Sequence, residues 1–295
     1  MKKHRGLEKL TELISSPDKP FVLPGEIWVA PEVLKAAGFS QGPEGVLQLA
    51  STLGASICFF HWARPLTLSD LVELSELAHG AGMGCGVSID GPFQRLSQER
   101  DLLALLEELG KGPQGLRPLL TEETEKVAET IRLAEDSGTD LILICDDLAY
   151  SRSLYFSPAI FRELFIPFYS TLMRLISKKN LVFGWHSDGD VSPILADLVN
   201  CGFRFFSLES ECVDLSNFKR TYGSRITLIG GIRTAWLTQE LPDLAKEMEY
   251  QEEIRTLARE GGLILASSCG LYDPKFLPTL KKIYGAVEKS KDFIG

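Results

Sequence analysis

The sequence predicts a (β/α)8 TIM barrel, an α/β fold built as one domain over residues 1–295, and three observations predict it. Eight short apolar runs alternate with segments of helical spacing, the order of a parallel sheet wrapped by helices. The runs are continuously apolar instead of alternating, as strands covered on both faces must be. No glycine-rich turn of the dinucleotide-binding kind follows the first run, which weighs against an open doubly wound sheet.

Residues 1–23 read as an amphipathic lead-in and Glu26–Ala30 as the first strand, followed by Pro31-Glu32 and a helix over Pro43–Leu53. Ala55–Phe60 is the second strand, ending at His61-Trp62-Ala63-Arg64. Ser69 is a suitable N-cap for the next helix, whose Leu71, Leu74 and Ala78 share a face and which Gly80 or Gly82 ends. Cys85–Ile89 is the third strand, ending at Asp90. Gly91–Pro118 then reads as the longest irregular stretch, with one helix at Gln98–Leu109; an insertion after a strand serves as a lid or binding loop.

A helix over Thr121–Ser137 leads to the fourth strand, Asp140–Cys145, with Asp146-Asp147 at its end. Ser157-Pro158 opens a long helix, apolar at Phe161, Leu164, Phe165, Phe168 and Leu172, which Pro167 should kink. The fifth strand starts at Leu181 and runs out in His186-Ser-Asp188-Gly-Asp190. Ser192-Pro193 starts a helix that Gly202 ends, and Phe203–Leu208 is the sixth strand, ending at Glu209. Leu215–Tyr222 is a short helix and Ile226–Ile229 the seventh strand, ending at Gly230-Gly231-Ile232-Arg233. A helical region broken at Pro242 runs to Glu260, Leu263–Ser267 is the eighth strand before Ser268-Cys269-Gly270, and Pro274 opens the last helix.

Composition narrows the function. A formal net charge of −9 argues against a general nucleic-acid binder and mildly against a site for a polyanion. The start of the chain is basic without an apolar signal core and no run is long enough to span a bilayer, so a cytoplasmic protein with no membrane partner is expected. The six cysteines form no CxxC pair and read as reduced, five of them as core. Oligomeric state is not legible.

Chemistry in such barrels lies at the carboxyl ends of the strands. The residues just past the runs include His61, Asp90, Asp146 and Asp147, His186 and Asp188, Glu209, Arg233 and Cys269. Residues two apart on an extended chain face the same side, so His186 and Asp188 offer either a two-ligand bite for a metal or an acid/base pair; acidic caps of the next helix are the plainer alternative. Of the aspartate pair, Asp146 is nearer the strand and is expected to face the basin. Imidazole, thiolate and carboxylate together describe a zinc site, with His186, Cys269, Asp188 and Glu209 as the ligand candidates. Asp146, His61 and Asp90 are the catalytic candidates, and Arg64, Asp147, Trp62 and Arg233 those for substrate contact.

Asp146-Asp147-Leu148 followed by Ser157-Pro158, Phe161 and Pro167, then His186-Ser-Asp-Gly-Asp, Gly230-Gly231-Ile232 and Cys269-Gly270, resemble the uroporphyrinogen decarboxylase superfamily in order, from about Asp140 to the end. Its decarboxylases carry an arginine-rich motif after the first strand; here that position reads Trp28-Val-Ala-Pro-Glu-Val, with Glu32 where cations would grip carboxylates. The sequence is closer to the zinc- and corrinoid-dependent methyltransferase branch, whose zinc motif is His-x-Cys with a distant Cys. His186 and Cys269 match it, and Asp188 replaces the middle cysteine. The resemblance implies zinc, a small methyl donor or acceptor of methoxyaromatic or methylamine type, and a corrinoid carried on a separate binding protein. Two alternatives remain: a tetrapyrrole decarboxylase using Asp146 or Asp90 as acid, and a non-catalytic barrel that binds a corrinoid protein or tetrapyrrole.

Overall fold

Eight parallel strands stand side by side in this computed structural model, which describes residues 6–62, 65–175, 181–238, 244–259 and 261–289. They are β1 (Val22–Pro24), β2 (Ile57–Trp62), β3 (Gly84–Asp90), β4 (Leu141–Cys145), β5 (Val182–Ser187), β6 (Phe205–Leu208), β7 (Thr227–Ile232) and β8 (Leu263–Ser267). The order around the sheet is β1-β8-β7-β6-β5-β4-β3-β2. At the remaining seam the Ser56 amide donates to the Pro24 carbonyl (2.7 Å), which brings β1 against β2 and nearly closes the barrel. The fold is the (β/α)8 barrel that the sequence predicts.

Two apolar layers hold it. Inside, Leu23, Ile57, Phe59, Leu141, Leu143, Phe205, Ile229 and Ile264 fill the barrel. Leu10 and Leu13, from the helix Gly6–Ser15, join the same cluster. They reach so close to Gly84 and Gly262 that a Cβ at either glycine would overlap them, so this helix plugs the amino-terminal end. The opposite faces of the strands pack on the outer helices through a second, larger cluster. The core thus fills one end and leaves the carboxyl ends of the strands free for a site.

Several local expectations are corrected. The first strand, Val22–Pro24, begins inside the supposed lead-in, and three residues ending on a proline are too short to show a period. Glu26–Ala30 instead crosses above the barrel, pairing only through Val29 and Leu271. The helix Leu68–Gly80 is capped by Thr67, not Ser69, because Asp70 completes a reciprocal capping box with Thr67. The stretch after β3 is helical, as Pro92–Glu99 and Leu102–Lys111, with Phe93, Leu96, Leu105 and Leu109 buried. It packs as a wall, interrupted where Arg100 turns extended and again at Gly112. Around Pro167 the helix carries a π turn over Phe161–Phe165, which widens it just ahead of the residue that lacks an N–H. Gly230 and Gly231 lie within β7, not past it. The break expected at Pro242 falls outside the described residues.

Glu26 ties the segment that follows β1 to β8 and to the last helix. Its carboxylate accepts from the Ser267 amide (3.1 Å), the Ser267 hydroxyl and the Tyr284 hydroxyl, and it is buried. Burial pushes the carboxyl above its ordinary value, against the pull of those hydrogen bonds. A folded pKa above the unfolded one makes the stabilising contribution complete below the unfolded value and lost as pH rises through the folded one. Glu26→Gln should therefore flatten the decline of stability between mildly acid and neutral pH in urea unfolding; an unchanged slope would contradict the assignment.

Candidate active site at the barrel mouth

One register layer carries the polar floor of the mouth. Asp90 on β3 aligns with Cys145 on β4, Cys145 with His186 on β5, and His186 with Ser207 on β6. Alternation along each strand then sets the facing of its neighbours: Cys145 points in, Asp146 out and Asp147 in; His186 points in and so does Asp188. A cavity of about 310 Å³ results, lined among others by His61, Asp90, Asp147, His186, Asp188 and Cys269.

His186 is fixed by a 2.9 Å hydrogen bond between Nδ1 and the Ser207 hydroxyl, which leaves Nε2 toward the carboxylates. Asp188 Oδ1 lies 3.7 Å and Asp147 Oδ1 3.9 Å from that nitrogen. Asp147 Oδ1 also accepts from the Asp188 amide (3.0 Å), and Glu209 Oε2 accepts from the Gly189 amide (2.8 Å). Gly189 has φ 81°, and a Cβ there would sit 2.6 Å from the Tyr150 carbonyl, so only glycine lets the loop place Asp188 here. Gly270, at φ 76°, does the same for Cys269 by packing its bare Cα under Trp28.

These groups fit a bound cation. Asp147, His186 and Asp188 each offer a donor atom within 4.8 Å of the others, and so do Asp188, Glu209 and Cys269. Asp188 belongs to both sets, and its buried Oδ1 has no hydrogen-bond partner. Burial, then the Asp188, Glu209 and Glu211 charges, pushes the Cys269 thiol up, so in this acidic setting the sulfur stays protonated until positive charge arrives. Nitrogen, carboxylate oxygen and sulfur are the donors zinc takes. Because the second nitrogen of a ligating histidine sets its orientation, Ser207→Ala is expected to weaken zinc binding roughly 10- to 100-fold in a chelator competition, with little change in unfolding temperature. Equal affinity would show that Ser207 is not that support.

Several of the sequence candidates take other places. Asp146 is fully buried behind the floor, where it accepts from the Gln94 amide (2.8 Å) and the Tyr169 hydroxyl (2.7 Å). Its proximity to the strand end suggested the basin, but alternation turns it outward and gives that role to Asp147. Burial raises its carboxyl to about 7. Arg233 lies away from the cavity lining, paired with Glu253 at 2.9 Å. Glu209 is beside Asp188 but outside the cavity lining. Arg64 and the side chain of Trp62 are outside the described residues. Trp28, Ser88, Gln94, Gln98 and Cys145 line the cavity unforeseen. Ser88 and Ser207 were visible as lone polar residues inside apolar strands.

The model of the uroporphyrinogen decarboxylase (URO-D) family matches residues 71–289, more than half of the chain. The chain belongs to that family. It is similar to the methylcobamide:CoM methyltransferase MtaA of Methanosarcina barkeri, 30% identical over 152 residues. The same enzyme from strain Fusaro matches at 28%. Each match covers 51% of this chain and 42% of the relative, so the chain spans less than half the length of the curated relatives it matches. Across nearly the whole chain the fold resembles that of a methyltransferase from Methanosarcina mazei, with TM-score 0.73, 18% identity and coverage of 97% and 98% of the two chains. A putative vitamin-B12 independent methionine synthase from Listeria monocytogenes shares the barrel at TM-score 0.57 and 14% identity, covering 94% of this chain and 99% of that one. Among the described residues of this URO-D family member, no helix is long and apolar enough to cross a membrane.

Proposed function

We propose that the protein is a zinc-dependent methyltransferase that moves a methyl group between a small donor and a corrinoid carried on a partner protein. The observation that carries this reading is the unpartnered buried Oδ1 of Asp188, set between an oriented imidazole and a carboxylate–thiol group. The named relatives, methylcobamide methyltransferases, support it.

Asp188 would hold the metal, with His186 and Asp147 on one side and Glu209 and Cys269 on the other; for His186 and Cys269 to serve one ion, the two donor sets must close together around it. When bound, zinc supplies Lewis acidity that draws electrons from the ether oxygen or amine nitrogen bearing the methyl group. The chain's residues do the rest. Asp90, held by the Gln98 amide at 3.1 Å, and His61 face the donor from the opposite wall. Desolvation holds the His61 imidazole below its ordinary value, Asp90 opposes that, and His186 adds to it. A neutral ring there can donate its N–H as a hydrogen bond to the departing oxygen and steady the charge that builds on it. The carbon–oxygen bond breaks with its electron pair left on that oxygen, which takes a proton from solvent, and the methyl group ends on the reduced corrinoid, whose metal supplies the electron pair of the new bond.

The acidic lining disfavours the decarboxylase alternative, since Asp90, Asp147 and Asp188 would repel a polycarboxylate. The test is incubation of zinc-loaded protein with a Co(I) corrinoid and a panel of methoxyaromatics and methylamines. Spectral conversion to the methylated corrinoid supports the reading; its absence with every donor, or coproporphyrin formed from reduced uroporphyrin, overturns it.

A further inference from the structure

The ladder between β4 and β5 changes character where the two strands reach the cavity. Up to that point the parallel pairing is regular: the Val182 amide donates to the Asp140 carbonyl (2.9 Å), and the Asp146 amide to the His186 carbonyl (3.0 Å). Bonds in a parallel ladder are evenly spaced, recurring every two residues. The next two would run from the Asp188 amide to the Asp146 carbonyl and from the Leu148 amide to the Asp188 carbonyl. Side chains take over both. The Asp188 amide donates to Asp147 Oδ1 (3.0 Å). The Leu148 amide donates to the Ser187 hydroxyl oxygen (3.1 Å), and that hydroxyl donates to the Asp188 carbonyl (2.8 Å). A hydroxyl is therefore inserted in the rung, and two hydrogen bonds in series span a gap that one of about 2.9 Å would otherwise close.

Ser187 is fully buried and lies outside the cavity lining, on the face of the strand opposite to His186 and Asp188. It touches neither a bound ion nor a substrate. What it controls is the separation of the two chains from which Asp147 and Asp188 approach His186 Nε2. Like charges repel, so the two carboxylates do not hold that gap themselves. The other tie, from the Asp188 amide, ends on Asp147 Oδ1, the oxygen that faces His186 Nε2 at 3.9 Å, where a cation competes for it. The serine bridge uses no carboxylate oxygen and persists when an ion is bound.

We propose that Ser187 is a positioning residue whose hydroxyl, inserted between β4 and β5, holds Asp147 and Asp188 at the spacing a divalent cation needs. That the hydroxyl opens the rung stands on the hydrogen bonds alone; that the opening serves an ion rests on the zinc-dependent reading.

Ser187→Ala removes the spacer with the smallest change in volume. The Leu148 amide is then free to bond the Asp188 carbonyl directly, so stability is kept while the carboxylates are drawn out of place. The full-length parent and variant are compared by metal-free crystal structure, unfolding temperature, zinc affinity against a chelator, and visible absorption of the Co(II)-substituted form. The expected variant has a direct Leu148–Asp188 rung and an unfolding temperature near the parent's. Its zinc affinity falls roughly 10-fold or more, and its Co(II) spectrum shifts. Parent-like zinc affinity with a lowered unfolding temperature would make Ser187 a structural tie only and overturn the proposal. So would a variant structure in which Leu148 and Asp188 stay apart. A parent that binds zinc, weakens on Ser187→Ala and methylates no corrinoid would keep the spacer and sink methyl transfer. Methyl transfer by the parent, with zinc affinity unchanged in the variant, would sink the spacer alone.

Discussion

Asp188→Ala is expected to lower zinc affinity by at least ~100-fold and to abolish methyl transfer while leaving the fold intact. Asp188 is the residue common to both donor sets, so its loss breaks each of them at once. Its side chain faces the cavity, and removing it leaves no hole in the packed layers. Burial raises its carboxyl above the ordinary value, His186 works against that, and Asp147 and Glu209 add to it. The metal-free variant should therefore be at least as stable as the parent, because an unpartnered acceptor among like charges has gone. Asp188→Cys restores a ligand of the softer kind and should retain zinc. Zinc content after equilibration with a chelator, together with unfolding temperature, reads both effects. A zinc-replete alanine variant would remove Asp188 from the site.

The second large effect is on stability. Asp146→Ala leaves the Gln94 amide and the Tyr169 hydroxyl, which is itself 3.3 Å from the Trp185 ring nitrogen, without their shared acceptor. Stranded buried donors cost about 1–3 kcal/mol each, so a loss of about 3 kcal/mol is expected. For a chain of this length that lowers the unfolding temperature by roughly 6 °C. Gln94 and Gln98 stand on the same helix and line the cavity, so KM should rise as that helix loosens, with zinc affinity retained. A variant with full thermal stability and no turnover would instead mark Asp146 as a catalytic group.

Periodicity made most of the fold legible in the sequence. Parallel strands buried on both faces leave continuous apolar runs, so β2 to β8 were visible, and His186 and Asp188 could be placed on one side by counting residues. The same count, carried across Cys145, would have turned Asp146 outward; proximity to the strand end was the wrong criterion. β1 was hidden because three residues, the last of them a proline, have no period to detect. The segment after β3 looked irregular because its prolines and glycines punctuate it, yet they sit at helix starts and ends, where they begin and stop helices instead of preventing them. Ser207 and Trp28 matter through register and through a chain crossing above the barrel, and neither is written in local sequence.

Nitrogen from β5 and sulfur from the loop after β8 must serve one metal for methyl transfer to run as proposed, and the zinc X-ray absorption edge of the full-length protein reads that directly. The expected spectrum has one sulfur scatterer at about 2.3 Å with nitrogen and oxygen at about 2.0–2.2 Å, the sulfur lost in Cys269→Ser and a nitrogen shell lost in His186→Ala. A zinc shell of oxygen alone, unchanged in both variants, would contradict it.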